Sequence, residues 1–125
     1  MALKINKIGV VSVPVRDQDA AKKFYVDVLG FECVTDQAMG PDQRWVQLRP
    51  ANAQTSISLV TWLDQMKPGG VRGLVLETDD IAAAHADLKA RGVNVDDPDV
   101  QPWGTFVSFE DIDANGIILM QPPAA

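Results

Sequence analysis

The sequence predicts an α+β fold made of two βαβββ modules, and three observations support this prediction. Residues 45–60 align without a gap to residues 106–121, so the chain contains an internal repeat. Each half begins with a short apolar run that is typical of a strand, and the run of the first half is rich in β-branched residues. Each run is followed by an aspartate and then by apolar residues at helical spacing. We therefore predict one domain, residues 1–125, with repeats at about 1–66 and 71–121.

The first module begins with a predicted strand from Ile8 to Val15, in which Pro14 indicates a sheet edge or a strand end. Asp17 supplies a side-chain oxygen for the start of a helix, and Gly30 supplies its stop. The apolar stripe between them consists of Ala20, Ala21, Phe24, Tyr25, Val28 and Leu29. Three shorter strands are expected at residues 31–36, 44–49 and 55–62.

The second module repeats this order. Its first strand is predicted from Gly73 to Thr78, and Asp79 or Asp80 caps the helix that follows. The apolar stripe of that helix consists of Ile81, Ala84 and Leu88, before a stop at Gly92. The remaining strands are expected at residues 93–96, 105–110 and 116–121. Residues 111–116 are rich in aspartate and asparagine, which predicts a hairpin turn between the last two strands.

Strand parity predicts which side chains lie opposite the helices, because successive side chains point to opposite faces of a sheet. A helix buries only one face, so assigning Val46 and Leu48 to that face leaves Trp45 and Gln47 on the other. The face away from the helix then mixes aromatic rings with small polar groups, which is typical of a ligand-lining surface. The predicted ligand-binding residues are Trp45, Gln47, Ser58, Trp62, Trp103, Phe106 and Ser108.

The composition argues against several classes of partner and cofactor. With 11 basic and 17 acidic side chains the net charge is −6, which argues against nucleic acid and anionic membranes and is compatible with a cationic ligand. One histidine and one cysteine cannot form a zinc site of nitrogen and sulfur ligands or a disulfide, and we predict no cofactor. Cys33 is expected to be buried, and His85 to have no catalytic role. No secretory signal or membrane-spanning run is found, which predicts a cytoplasmic protein.

Several short motifs follow one another along the whole chain. They are Val15-Arg16-Asp17, Phe24-Tyr25, Leu29-Gly30-Phe31, Arg44-Trp45-Val46, Thr78-Asp79-Asp80-Ile81, Gly92-Val93, Pro102-Trp103-Gly104-Thr105 and Phe109 through Gly116. Their order and spacing resemble the glyoxalase, bleomycin-resistance and extradiol-dioxygenase superfamily, also called the vicinal oxygen chelate fold. The resemblance implies that the curled sheets of the two modules form a cup, that the helices lie outside it, and that the protein is a homodimer.

Metal-dependent members of this superfamily place one ligand on the first and the last strand of each module. By the resemblance, these four slots fall on Val10, Ser58, Gly73 and Ile118. None of the four is a strong metal ligand, because valine, glycine and isoleucine carry no donor atom in the side chain and a serine hydroxyl is a weak one. The resemblance therefore implies a member of the superfamily without the usual metal.

The resemblance and the predicted surface together favour a metal-independent protein that binds a small aromatic or cationic organic ligand in its cup. One alternative is a lyase, isomerase or dioxygenase of the same superfamily, with an unrecognised metal site or with Glu77 or Glu110 as its catalytic carboxylate. Another alternative is a non-catalytic dimerisation domain. The sequence leaves all three readings open.

Overall fold

The computed structural model of the protein describes residues 3–123 and confirms the α+β fold. Met1 and Ala2, at the start of the predicted domain, and Ala124 and Ala125, at its end, lie outside the described residues. The chain divides into two compact units, Met1–Lys67 and Pro68–Ala125. Each unit contains one four-stranded mixed sheet in the predicted order βαβββ. Within residues 3–123, no helix is long and apolar enough to cross a membrane.

The first unit contains four strands and one helical stretch. Their bounds are β1 (Val10–Pro14), α1 (Gln18–Lys23), a π-helical segment (Phe24–Val28), β2 (Glu32–Gly40), β3 (Gln43–Arg49) and β4 (Ser56–Val60). The strands lie in the order β1-β4-β3-β2, with β1 parallel to β4 and the other pairs antiparallel. β1 is an edge strand that ends at Pro14, which confirms the expectation from that proline.

The first helix begins where the sequence predicts. The Oδ1 atom of Asp17 accepts hydrogen bonds from the backbone N–H groups of Asp19, at 2.9 Å, and Ala20, at 3.1 Å. These bonds satisfy two of the donors that a helix leaves free at its first turn. An ion-pair network then ties the helix to the sheet, because Asp36 on β2 accepts hydrogen bonds at 2.7 Å from both Arg44 and Lys22. These two cations, Arg44 first, hold the pKa of Asp36 well below its usual value.

The first helix is not α-helical over its whole length as predicted, because beyond Lys23 it widens into a π-helix. The N–H group of Leu29 donates to the carbonyl of Phe24 at 3.2 Å, five residues back, as in a π-helix. In this segment the ring of Tyr25 contacts that of Phe24 edge-on, with the centroids 5.5 Å apart, and that of Phe31 at 5.6 Å. Tyr25 is fully buried, so these aromatic contacts form the part of the core that the π-helical segment contributes.

The core of the first unit lies between the sheet and the helical stretch, which packs on β3 and β4. Val46 and Leu48 point to this side and are completely buried, as strand parity predicts. The other members of this core are Val13, Val15, Ala21, Tyr25, Phe31, Ile57 and Leu59. The expectation that Cys33 is buried is wrong, because the residue is exposed. It lies on the edge strand β2, whose pairing is interrupted by an irregularity between Cys33 and Thr35.

The second unit repeats the same topology. Its elements are β5 (Leu74–Glu77), α2 (Ile81–Ala90), β6 (Asp99–Gln101), β7 (Gly104–Glu110) and β8 (Gly116–Gln121). The strand order is β5-β8-β7-β6, with β5 parallel to β8. Of the two candidate caps, Asp80 is the one used, since its Oδ1 accepts from the N–H group of Ala83 at 3.1 Å. Helix α2 packs on β7 and β8, and its first N–H, on Ile81, donates to Oε1 of Gln121 at 2.8 Å.

The prediction of a strand at residues 93–96 is wrong. This part of the chain pairs with β7 at β6, residues Asp99–Gln101. Asp96 makes a single backbone hydrogen bond to the carbonyl of Ser108, at 3.0 Å. Pro98 has no N–H group with which to continue the ladder, so pairing begins after it. Val95, which the prediction placed in the strand, is buried in the core of the second unit instead.

The predicted Asx-rich turn between β7 and β8 is confirmed. Oδ1 of Asp111 accepts from the N–H groups of Asp113, at 2.8 Å, and Asn115, at 2.9 Å. The Asn115 side chain donates to Oδ2 of Asp111 at 2.9 Å and accepts from the N–H group of Gly69 at 3.0 Å. This buried cluster closes the turn and anchors the segment that precedes β5. At its tip Ala114 has a φ of +67°, a conformation that normally favours glycine.

We predict that Ala114→Gly stabilises the protein by about 0.5 to 1 kcal/mol, because glycine adopts a positive φ without the steric clash of a Cβ atom. The free energy of unfolding, measured by chemical denaturation, gives the test. The matched control is Ala86→Gly on the exposed side of α2, which should cost about 1 kcal/mol of helix propensity. Destabilisation by both substitutions would contradict the prediction.

Candidate functional site

The candidate site begins with the face of the first sheet that lies opposite α1, which we call the far face. Because Val46 and Leu48 point into the core, Trp45 and Gln47 must point to the far face. Gln47 lies directly opposite Ser58 in the pairing of β3 with β4. The structure therefore brings three of the predicted binding residues together on this face.

Two indole rings lie side by side at this site. The ring centroids of Trp45 and Trp62 are 6.4 Å apart, and the planes are inclined by 36°. The strand predicted to reach residue 62 ends at Val60, so strand parity does not place Trp62. Trp62 comes to the face by its contact with Trp45 instead. Both tryptophans are partly exposed, which leaves ring surface for stacking.

A row of polar side chains runs across the far face beside the indole pair. In the ladder, Ser58 lies between Ser12 on β1 and Gln47 on β3, and Gln47 in turn lies opposite Thr35 on β2. Ser58 is fully buried, and its Oγ atom has no hydrogen-bond partner within the described part of the chain. A buried hydroxyl in that state is costly and calls for a partner.

One hydrogen bond connects the indole pair to the polar row. Nε1 of Trp45 donates to Oε1 of Gln47 at 3.0 Å. The two residues are separated by one position on the same strand, so both point to the same face. The bond satisfies the only polar group of the Trp45 ring and holds the Gln47 amide in one orientation.

Sequence reasoning missed Ser12 and Thr35, the outer members of the polar row. The signal for Ser12 is present in the alternation Val11-Ser12-Val13, where a polar residue stands between two that belong to the helix side. Thr35 carries no comparable signal, because the irregularity between Cys33 and Thr35 shifts the alternation of β2 by one residue.

An ion pair between Arg49 and Glu32 lies next to the polar row. Nε of Arg49 donates to Oε1 of Glu32 at 2.6 Å, and the two residues are cross-strand partners. This hydrogen bond from Arg49, and a second from the backbone of Asn52, lower the pKa of the Glu32 carboxyl. The carboxylate is thus ionised and already paired with a cation.

The other predicted binding residues belong to the second unit. Phe106 and Ser108 lie on the face of its sheet opposite α2, where they pair with Met120 and Ile118 of β8. Trp103 is 65% exposed in the turn between β6 and β7. Sequence parity thus placed Phe106 and Ser108 on the face away from the helix.

The two candidate catalytic carboxylates differ in their surroundings. Glu77 is exposed at the end of β5, where it pairs with Met120. Oε2 of Glu110 accepts a hydrogen bond from Nη1 of Arg72 at 2.9 Å. His85, which we expected to have no catalytic role, contacts the backbone carbonyl of Asp96 through Nε2 at 3.0 Å.

The four positions to which the resemblance assigns the family metal slots do not offer the donor atoms that a metal needs. Val10 pairs with Ser56 on the edge of the first sheet, and Ile118 pairs with Val75 in the second. Gly73 precedes β5, so the hydroxyl of Ser58 is the one side-chain donor among the four slots. Across residues 3–123, no group of three or more histidine, cysteine, aspartate and glutamate residues could hold a metal ion. The residues present therefore do not fit the family metal.

Comparison with protein families identifies one that matches nearly the whole chain. The family described as the Glyoxalase/Bleomycin resistance protein/Dioxygenase superfamily matches residues 7–119. Among curated relatives, the uncharacterized protein YetH of Bacillus subtilis is 34% identical over 123 residues, which cover 94% of this chain and 99% of YetH.

Solved structures give the same result. The chain is 47% identical to TnmS3, an antibiotic binding protein from Streptomyces sp. CB03234, with a TM-score of 0.93 over 98% of this chain and 100% of that one. A glyoxalase/bleomycin resistance protein from the same organism is 48% identical, with a TM-score of 0.84 over 92% of this chain and 100% of that one. A member of the superfamily from Sphaerobacter thermophilus is 37% identical, with a TM-score of 0.88 over 95% of this chain and 99% of that one.

We predict that Ser58→Ala leaves the free energy of unfolding unchanged or raises it by up to about 1 kcal/mol, because it removes a buried hydroxyl that has no partner in the described part of the chain. The comparison variant is Asn115→Ala, whose buried amide is fully engaged and whose loss should cost about 2 to 3 kcal/mol. Urea denaturation of both variants gives the result. If Ser58→Ala lowers the free energy of unfolding as much as Asn115→Ala does, the Ser58 hydroxyl already has a hydrogen-bond partner in the free protein.

Proposed function

The chain belongs to the Glyoxalase/Bleomycin resistance protein/Dioxygenase superfamily, and on that premise we propose that it binds and sequesters a small, flat or cationic organic molecule without a metal. The observation that carries this proposal is the Trp45–Trp62 pair beside the hydroxyl of Ser58, which has no hydrogen-bond partner among residues 3–123. Aromatic rings next to a few unsatisfied polar groups are typical of small-molecule sites.

The indole pair supplies the binding surface in this proposal. Two adjacent rings inclined by 36° offer faces on which a flat ring can stack, and the same faces attract a cation. Gln47 and Ser58 orient the bound molecule through hydrogen bonds. A binding role for Trp103, Phe106 and Ser108 stays a prediction from the sequence.

The similarity to TnmS3 supports a binding role. TnmS3 is an antibiotic binding protein, it is 47% identical to this chain, and it is matched over its full length. Sequestration without a metal also agrees with the residues at the four slots that the resemblance assigns to the family metal. Only one of the four, a serine, has a side-chain donor atom. Homodimer formation and a cytoplasmic location stay predictions from the sequence.

We predict that Trp62→Ala weakens the binding of a flat aromatic probe by about tenfold, because one of the two stacking faces is lost. Affinities are measured by isothermal titration calorimetry for a panel that includes 9-fluorenone and proflavine. The matched control is Leu63→Ala, which removes the next apolar side chain along the chain, itself 40% exposed, and should leave the affinities unchanged. The proposal fails if no compound of the panel binds, or if the two variants behave alike.

A further inference from the structure

The Trp45–Gln47 hydrogen bond determines which polar atoms the far face offers to a ligand. An indole N–H group can only donate, so the atom of Gln47 that faces Trp45 must be the acceptor oxygen Oε1. The amide nitrogen Nε2 then points away from the indole ring, and its two N–H groups are left for other partners. The bond to Trp45 thus occupies the acceptor oxygen of the Gln47 amide, so that the amide offers its N–H groups as donors to other partners.

Ser58 reinforces this donor character. It lies directly opposite Gln47 in the ladder, a position in which cross-strand side chains come within about 4.5 to 5.5 Å of each other at Cβ. Its hydroxyl carries one hydrogen, is buried, and has no partner among the described residues 3–123. A single acceptor oxygen has two lone pairs, so one ligand atom can accept from both Ser58 and Gln47.

The charges near the polar row do not favour a cation. The carboxylate on the far face of the described strands belongs to Glu32, and Arg49 already neutralises it at 2.6 Å. A ligand cation placed beside Gln47 would therefore face N–H groups rather than a free negative charge. The net charge of −6 is spread over the chain and supplies no specific counter-ion at this point.

We infer that the far face selects flat ring molecules that carry a hydrogen-bond-accepting oxygen, such as a ketone on the ring, over cationic rings of the same size. This inference rests on the proposed binding function and narrows its ligand class. Gln47 is the residue that sets the selectivity, with Ser58 as the second donor. Trp45 acts on selectivity through the orientation of the Gln47 amide.

Three probes of similar size test the inference. 9-Fluorenone and fluorene share a three-ring skeleton and differ by one carbonyl oxygen, whereas proflavine is a flat three-ring cation. For the unmodified protein we expect 9-fluorenone to bind about tenfold more tightly than fluorene, the contribution of one to two hydrogen bonds. Equal affinity for 9-fluorenone and fluorene would overturn the inference and leave the proposed function standing. Absence of binding by all three rings would overturn both.

Gln47→Glu is the sharpest variant, because a carboxylate has nearly the shape of the amide and still accepts the Trp45 hydrogen bond. It replaces the N–H groups by a second acceptor oxygen. We expect the affinity for 9-fluorenone to fall about tenfold and that for proflavine to rise by a similar factor. A loss of affinity for all three probes in a variant that melts like the unmodified protein would assign Gln47 a structural role and contradict the inference.

Ser58→Ala provides a second, independent variant, should Gln47→Glu fail to fold. It removes the other donor without adding charge, so the preference for 9-fluorenone over fluorene should shrink severalfold while the affinity for fluorene stays the same. If Ser58→Ala keeps the full preference for 9-fluorenone over fluorene, the Ser58 hydroxyl takes no part in ligand recognition. That result would overturn the arrangement of two donors.

Discussion

The burial of Val46 and Leu48 against the helical side determines what the first unit can do. Side chains alternate along a strand, so fixing these two residues in the core places Trp45 and Gln47 on the far face. A slip of β3 by one residue would bury Trp45 and Gln47 and expose the two apolar side chains. The hydrophobic contact therefore holds the register that positions the candidate site, although it lies on the opposite side of the sheet.

The Trp45–Gln47 hydrogen bond adds chemistry to that geometry. It joins the aromatic surface to the polar row, so the part that stacks on a ring and the part that bonds to its edge are held together. The resemblance to the family assigns a metal slot to Ser58 on β4, and the hydroxyl of this residue has no partner within residues 3–123. In our proposal an oxygen of the ligand, rather than a metal, supplies that partner.

Local patterns in the sequence predicted most of the fold and part of the site. Alternation alone placed Trp45, Gln47 and Ser58 on one face, because the residues between them are apolar and belong to the core. Hydrogen-bonding side chains predicted the start of both helices, at Asp17 and at either Asp79 or Asp80, of which Asp80 forms the cap. These features depend on neighbours within a few residues.

The features that were not predicted depend on contacts between distant residues. The π-helical segment accompanies the packing of Tyr25 against Phe31, and the start of β6 depends on where β7 offers a partner. Trp62 is a predicted binding residue, but it reaches the far face by a ring contact beyond the end of its strand rather than by strand parity. The secondary-structure propensities of the residues and the spacing of apolar residues do not contain such information, because tertiary packing selects among local conformations of similar energy.

In our proposal a flat ring binds at the Trp45–Trp62 pair of the far face. The chain has three tryptophans, so its indole N–H groups give three NMR signals that can be assigned by substitution. On titration with 9-fluorenone, the account predicts that the indole signals of Trp45 and Trp62 and the side-chain amide signals of Gln47 shift together with one dissociation constant. Saturable shifts that leave all three of these side chains unaffected would contradict it.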